Sequence, residues 1–191
     1  MTENDEIGPA QPADVPLLPD IERAAAQLLR GHAPDRILAE ASSLEALAEA
    51  QGKGHLWVAR HSGKPVGFAL VSVIGPTTVH LGEIDVHPDH GKRGLGRRLV
   101  REVCEWARRS GHREVTLTTF REVRWNMPFY ASIGFVELDR AKWTPALHEI
   151  VDDETSRGLD PVGRVVMHCP LTSEEVTFEQ YPPPESPQLL P

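Results

Sequence analysis

The sequence is poor in cysteine and lacks the long apolar runs that membrane-spanning helices need. It contains only Cys104 and Cys169, too few for a disulfide framework or a cysteine-based metal cluster. No apolar run approaches the roughly 18–20 residues of a transmembrane helix, and the N-terminus does not show a basic segment followed by an apolar one. These absences predict buried free thiols in a reducing, cytoplasmic compartment and no association with membranes.

Positive charge is also scarce in the chain as a whole. Twenty lysines and arginines stand against 28 acids, for a net charge of −8. That balance argues against general binding to nucleic acid. The cations are nevertheless concentrated between residues 91 and 113, where they outnumber the acids. Part of this run is a solvated helix face, but its N-terminal third coincides with a glycine-rich turn.

The periodicity of apolar residues predicts one α/β domain over residues 1–170, with strands and helices in the order β-α-α-β-β-β-α-β-α-β-(α)-β. Residues 1–9 are predicted to fray, with at most a short strand around Ile7. The predicted helices are 15–30, 34–50, 94–110, a short one opened by Asn126 as N-cap, and 145–156; the predicted strands are 55–60, 66–74, 79–86, 114–120, 135–138 and 164–168. Residues 171–191 carry several prolines among acids, which predicts a disordered or surface-draped tail.

The most informative stretch is residues 86–100, V-H-P-D-H-G-K-R-G-L-G-R-R-L-V. A strand ends, three glycines follow within six residues, and an amphipathic helix begins. Unpaired main-chain N–H groups and the helix dipole make such an opening an anion site. Lys92, Arg93, Arg97 and Arg98 add cations around the same point. The pattern predicts a pyrophosphate-binding turn, although three glycines before a helix also suit a tight connection without a ligand.

Two common phosphate-binding patterns do not fit this turn. The Walker pattern needs Ser or Thr where Arg93 stands, and the dinucleotide pattern needs a glycine where Leu99 stands. The turn instead resembles the acetyl-CoA signature R/Q-x-x-G-x-G/A of the GNAT family of N-acetyltransferases, which residues 91–96 match except at Gly91. The family's F-Y-x-x-x-G-F motif is matched by residues 129–135, and the opening of the chain is similar to the family's I-x-P-A-x-P-A-D.

The resemblance covers about residues 5–170. It implies a mixed, mostly antiparallel central sheet with a splayed pair of strands at the coenzyme A site and helices on both faces. It also implies direct transfer of an acetyl group from acetyl-CoA to a primary amine of a small molecule or protein, without a metal. A homodimer is a further expectation taken from the family. The residues that the resemblance assigns to coenzyme A are Ile84, Val86, Lys92, Arg93, Gly94, Leu95, Gly96, Arg97 and Asn126.

Acyl transfer to an amine needs a base, a site for the oxyanion and an acid for the departing thiolate. Tyr130 holds the family's tyrosine position and is the predicted acid; its alternative role is to anchor the short helix. Main-chain N–H groups around Val86 are predicted to hold the oxyanion. The base is Glu83 or His80, with a water relay as a further alternative. Strict strand alternation places Glu83 and Asp85 on one face and His80 on the other, and a bulge would change that assignment.

Several further points stay open in the sequence. His87 and His90 have a spacing that suits a metal, but no set of further ligands nearby completes a site, so solvent-exposed turn histidines are expected. Asp85 is a possible counter-charge for the amine, and Trp125 either lines the acceptor pocket or is an ordinary, partly buried tryptophan. Because Gly91 and the position of Asn126 depart from the family pattern, a non-catalytic acyl-CoA-binding or sensor domain is the alternative function. The excess of acid weakly favours a cationic acceptor.

Overall fold

The computed structural model describes residues 5–160 and 163–171. Its strands are β1 (Asp5–Pro9), β2 (Leu56–His61), β3 (Lys64–Val73), β4 (Thr78–Val86), β5 (Glu114–Phe120), β6 (Val136–Glu137) and β7 (Arg164–Pro170). They form one sheet in the order β1-β2-β3-β4-β5-β7-β6. All neighbouring pairs are antiparallel except β4 and β5, which run parallel. The tail predicted for 171–191 lies outside the described residues, apart from Leu171.

Within the described residues, six α-helices accompany the sheet: α1 (Leu18–Ala26), α2 (Asp35–Ala39), α3 (Leu44–Gly52), α4 (Leu95–Arg109), α5 (Asn126–Ala131) and α6 (Pro145–Ser156). They cover both of its faces. Trp57 and Ala59 of β2 belong to the core under α4, while Leu56 and Val58 belong to the core under α1 and α3. On the second face, α6 packs on Val166 of β7. The predicted mixed sheet with helices on both faces is confirmed. None of the described helices is long and apolar enough to cross a membrane.

The two helices predicted before β2 are wrong in their continuity. The predicted helix 15–30 is α1 flanked by single 3-10 turns at Val15–Leu17 and Gln27–Leu29. The predicted helix 34–50 is broken at Glu40, which is extended. The break has a local cause, because Ser43 caps α3 by accepting the Ala46 N–H on its side-chain oxygen at 3.1 Å. A serine N-cap fixes a new helix start.

The N-terminus is more ordered than predicted. The sequence predicts at most a short strand around Ile7; residues 5–9 form β1, and the strand pairs with β2 over its whole length. Side chains reinforce this pairing, since Asp5 Oδ1 lies 2.8 Å from His61 Nδ1. Asp5 also bonds to Arg93, which belongs to the glycine-rich turn. The first strand therefore positions the turn that precedes α4.

Gly67 of β3 lies unusually close to β4. A Cβ atom at this position would stand 2.7 Å from the Asp85 carbonyl oxygen and 3.1 Å from Val86 Cγ2. We expect Gly67→Ala to lower the free energy of unfolding by about 1–3 kcal/mol, because the backbone of β4 must move. Urea denaturation measures the change. Gly82→Ala is the matched control, since its Cβ would meet nothing nearer than 3.8 Å and should change the stability by no more than about 0.5 kcal/mol.

Candidate active site

The site begins where two neighbouring strands separate. β4 and β5 pair only between Thr78–His80 and Glu114–Thr116. Beyond that point β4 continues to Val86 and β5 to Phe120 without pairing to each other. This separation is the predicted splay, and it opens a gap through the sheet between its two helical layers.

A bulge in β4 decides which side chains face which layer. Leu70 pairs with Glu83 and Val71 with Leu81, so Gly82 has no partner on β3. Of the two assignments that the sequence left open, the bulge selects the second, because His80, Glu83 and Asp85 share one face. The residues between them point the other way: Leu81, Ile84 and Val86 pack in the core under α4.

The N–H groups of Ile84 and Val86 point into the gap. His87 N–H donates to the Val66 carbonyl at 2.8 Å, and the register from Val86 back to Glu83 is regular. Successive N–H groups of a strand alternate in direction. Those of Ile84 and Val86 therefore point away from β3, toward the side that β5 leaves open.

The glycine-rich turn leads directly into α4. A 3-10 turn at Pro88–His90 is followed by Lys92 with φ of 59° and Gly94 with φ of 78°. Gly94 is the N-cap of α4 and supplies no side chain to the first turn. Leu95 is buried, so only its main chain can meet a ligand. The first N–H groups of a 15-residue helix thus lie at the end of the gap without intrahelical acceptors.

The predicted cations of this turn make different contacts. Arg93 lies 3.3 Å from Asp5 Oδ2, and Arg98 donates to the Asp5 carbonyl at 3.0 Å. Arg97 reaches α5, where it donates to the Ser132 carbonyl at 2.9 Å and to its hydroxyl at 2.7 Å. Lys92 is exposed and makes no ion pair with the described residues. Arg93 thus binds the turn to β1, Arg98 binds α4 to β1, and Arg97 binds α4 to the end of α5.

Helix α5 carries the aromatic side chains that adjoin the turn. Phe129 lies against Gly96, where a Cβ atom would stand 3.5 Å from the ring, and its centroid is 5.0 Å from that of Tyr130. Tyr130 is half-buried and close enough to Glu83 and Asp85 for their charges to affect it. The predicted N-cap is wrong, since Trp125 takes the cap position and Asn126 is the first helical residue.

Three titratable groups meet in the gap, and burial affects each of them. Burial and the Glu22 carboxylate raise the pKa of Glu83 to about 8. Burial and the Glu83 carboxylate raise the pKa of Asp85 well above its ordinary value. Burial, with Asp85 and Glu83 nearby, also raises the pKa of Tyr130, so the phenol keeps its proton. The arrangement joins a carboxyl group that titrates near neutral pH to a phenol that stays protonated.

His80 occupies the closed end of the gap. Its side chain is buried, and its Nδ1 lies 3.1 Å from the Thr116 hydroxyl. Burial lowers the pKa of His80 to about 4, so the ring is neutral near pH 7 and a weak base. Of the two candidate bases, Glu83 is therefore the stronger base. Among the described residues no cluster of three or more His, Cys, Asp or Glu side chains is arranged to hold a metal.

The sequence did not reveal the residues on the far side of the gap. Arg164 of β7 bonds Glu154 of α6 at 2.8 Å and the Thr118 hydroxyl of β5 at 2.7 Å. Glu22 of α1 accepts the Ser42 N–H at 2.9 Å, and burial raises the pKa of its carboxyl. These residues come from four elements far apart in the chain, so no local motif marks them. Trp125, the N-cap of α5, has half of its surface exposed.

Comparison with known proteins agrees with this geometry. The sequence profile of the acetyltransferase (GNAT) family matches residues 20–135, more than half of the chain. The chain belongs to this family. The family resemblance carried by the glycine-rich turn and the F-Y-x-x-x-G-F motif is therefore confirmed.

Other GNAT proteins give the extent of the likeness. An uncharacterized N-acetyltransferase of Methanocaldococcus jannaschii is 32% identical over 92 residues, which are 45% of this chain and 41% of the relative. The chain spans about half the length of the curated relatives it matches. The PaiA N-acetyltransferase of Thermoplasma acidophilum, solved with coenzyme A, superimposes with a TM-score of 0.67 at 15% identity, covering 87% of this chain and 99% of its own. Rv2747 of Mycobacterium tuberculosis, also solved with coenzyme A, gives 0.62 at 26% identity with the same coverage.

Proposed function

We propose that this GNAT protein transfers an acetyl group from acetyl-CoA directly to a primary amine. One observation carries the proposal: β4 and β5 separate beyond His80, so that the gap joins the opening of α4 to Glu83 and Tyr130. The structural relatives solved with coenzyme A support the choice of donor. In this proposal the diphosphate binds the N–H groups of Leu95 and Gly96 and the backbone of the preceding turn, and the thioester lies in the gap.

In the chemical step, main-chain donors stabilise the intermediate, and the side chains of Glu83 and Tyr130 transfer protons. The amine nitrogen attacks the thioester carbonyl carbon, and the N–H groups of Ile84 and Val86 stabilise the oxyanion that forms. Collapse of this intermediate breaks the C–S bond, forms the amide and releases the coenzyme A thiolate. Arg97 supports the site by holding the end of α5 against α4. Asn126 is the first residue of α5, the helix that carries Tyr130.

Proton transfers balance the reaction. An alkyl ammonium with a pKa of about 10.4 must lose a proton before it can attack. Glu83 accepts that proton as a carboxylate and passes it to water. Tyr130 donates its phenolic proton to the departing thiolate, and the proton that the new amide nitrogen loses restores the phenol. The net reaction converts one ammonium and acetyl-CoA into the acetylated amine, coenzyme A and one proton.

The phenol gives the direct test of this mechanism. We expect Tyr130→Phe to lower kcat for acetylation of a reactive amine by about 100-fold, because the thiolate loses its proton donor. Thiol release from acetyl-CoA in the presence of a panel of amines measures the rate. The affinity for coenzyme A, measured by calorimetry, should change little, since phenylalanine keeps the ring and its packing on Phe129.

Two results would contradict the proposal. Acetyl-CoA binding without turnover on any amine would favour a non-catalytic acyl-CoA-binding domain instead. An unchanged kcat in Tyr130→Phe, at an unchanged melting temperature, would assign the tyrosine to helix packing alone.

A further inference from the structure

We call the part of the gap that adjoins Glu22, Glu83 and Asp85 the acceptor side. These three carboxyl groups have no cationic partner in the described part of the chain. Glu22, Glu83 and Asp85 form no ion pair there, although other acids beside them do. Arg164 is bound to Glu154 at 2.8 Å, and Arg157 is bound to Glu40 at 2.7 Å. Both nearby arginines are therefore held by other acids, and the three carboxyl groups face the gap without an ion pair of their own.

One of these groups also has an unsatisfied atom. Asp85 Oδ2 is fully buried, and no donor among the described residues reaches it. A buried carboxyl oxygen without a hydrogen-bond partner is costly, and such atoms in native proteins call for a partner from outside the fold. Asp85 lies beside Glu83 and Tyr130, where the reacting nitrogen must sit. An ammonium group has the charge and the N–H donors that this oxygen lacks.

The acceptor side is bridged over by the segment between α1 and α3. Arg36 donates to the carbonyl of Arg157 at the end of α6, and the Glu40–Arg157 ion pair adds a second link to α6. His32 meets the edge of Trp125 at the start of α5, with ring centroids 6.3 Å apart. This segment thus contacts the protein at two places, the end of α6 and the start of α5. The bridge favours a small molecule over a folded protein as the acceptor.

We infer that the acceptor is a small amine that carries a second positive charge, such as an aliphatic diamine. This inference rests on the proposed function and names the substrate class of that site. The reacting nitrogen lies between Glu83 and Asp85, and the distal ammonium lies against Glu22. Glu22 is therefore a specificity-determining residue, and its charge is strong enough at the other two carboxyl groups to affect both. In this proposal the half-exposed ring of Trp125 offers an apolar surface to the methylene chain.

The test compares three acceptors that differ only at the far end of a four-carbon chain. We expect kcat/KM for 1,4-diaminobutane to exceed that for n-butylamine and 4-amino-1-butanol by about 10- to 100-fold, the contribution of one charge-assisted contact. Glu22→Gln should remove most of this preference by raising KM for the diamine. Asp20→Asn is the matched control on the same helix, because Asp20 is exposed and pairs with the exposed Arg23; it should keep the full preference.

Binding separates the failure of this inference from the failure of the proposed function. Calorimetric titration of 1,4-diaminobutane into the coenzyme A-bound protein should show binding that Glu22→Gln weakens and Asp20→Asn does not. If all three amines are acetylated equally well and Glu22→Gln changes nothing, the inference is wrong and the acetyltransferase assignment stands. If no amine is acetylated but the diamine binds with the expected dependence on Glu22, the proposed function fails and the cation site remains. Absence of diamine binding overturns the inference in either case.

Discussion

Replacement of Glu83 by glutamine is expected to lower kcat/KM for amine acetylation by about 1,000-fold. The amide keeps the size of the side chain and removes the group that accepts the ammonium proton, and general base catalysis contributes about 100- to 10,000-fold. The position of the group supports a large effect, since the bulge at Gly82 turns Glu83 toward the gap. Initial rates of thiol release measure the loss, and the melting temperature shows whether the variant is folded.

The pH dependence of the rate should follow the same carboxyl group. Because the folded protein raises the pKa of Glu83 to about 8, only about one molecule in ten carries the carboxylate at pH 7. The active base therefore accumulates as the pH rises, and kcat should increase with pH until it levels off above pH 8. In Glu83→Gln this rise should disappear, leaving only the dependence that comes from the amine itself.

A second variant shows whether the effect belongs to the position. Glu149→Gln removes the same charge from the exposed side of α6 and should leave both kcat and the pH profile unchanged. A Glu83→Gln enzyme that keeps the wild-type profile would assign the base to bound water, and a profile with a transition near pH 4 would point to His80 instead.

The conformation of the glycine-rich turn before α4 could be predicted from the sequence because its determinants are local. The end of β4, the left-handed backbone at Gly94 and the apolar face of α4 all lie within residues 86–109. Glycine spacing and helical periodicity record such short-range requirements directly. For the same reason the bounds of α6 and β5 agree with the prediction to the residue.

The acceptor side could not be predicted, because it is assembled across the chain. The bulge at Gly82 depends on the register between β3 and β4, and a one-residue shift moves side chains to the other face of the sheet. Glu22 and Arg164 reach the gap from α1 and β7, with no shared spacing to connect them. Arg93 shows the same limit within the turn, since its ion pair with Asp5 depends on β1.

Substitution of Gly94 by aspartate should weaken binding of coenzyme A by at least about 100-fold. Its side chain would stand at the N-cap of α4, where it replaces the diphosphate as the anion at the helix opening. Two like charges about 4 Å apart repel by about 4 kcal/mol near a protein surface, and part of this is relieved because the side chain can rotate. Aspartate tolerates the left-handed backbone of Gly94, with φ of 78°, better than most residues do. Calorimetry with coenzyme A measures the loss.

Gly111 offers a closely matched control at the other end of the same helix. Its φ is 84°, and a Cβ atom there would meet nothing within 4 Å, as at Gly94. Gly111→Asp therefore adds the same charge and the same backbone strain, but at the negative end of the α4 dipole and away from the turn. It should lower the melting temperature at least as much as Gly94→Asp while leaving the affinity for coenzyme A unchanged. Equal affinities in the two variants would show that the opening of α4 does not hold the diphosphate, because strain and net charge would then account for everything observed.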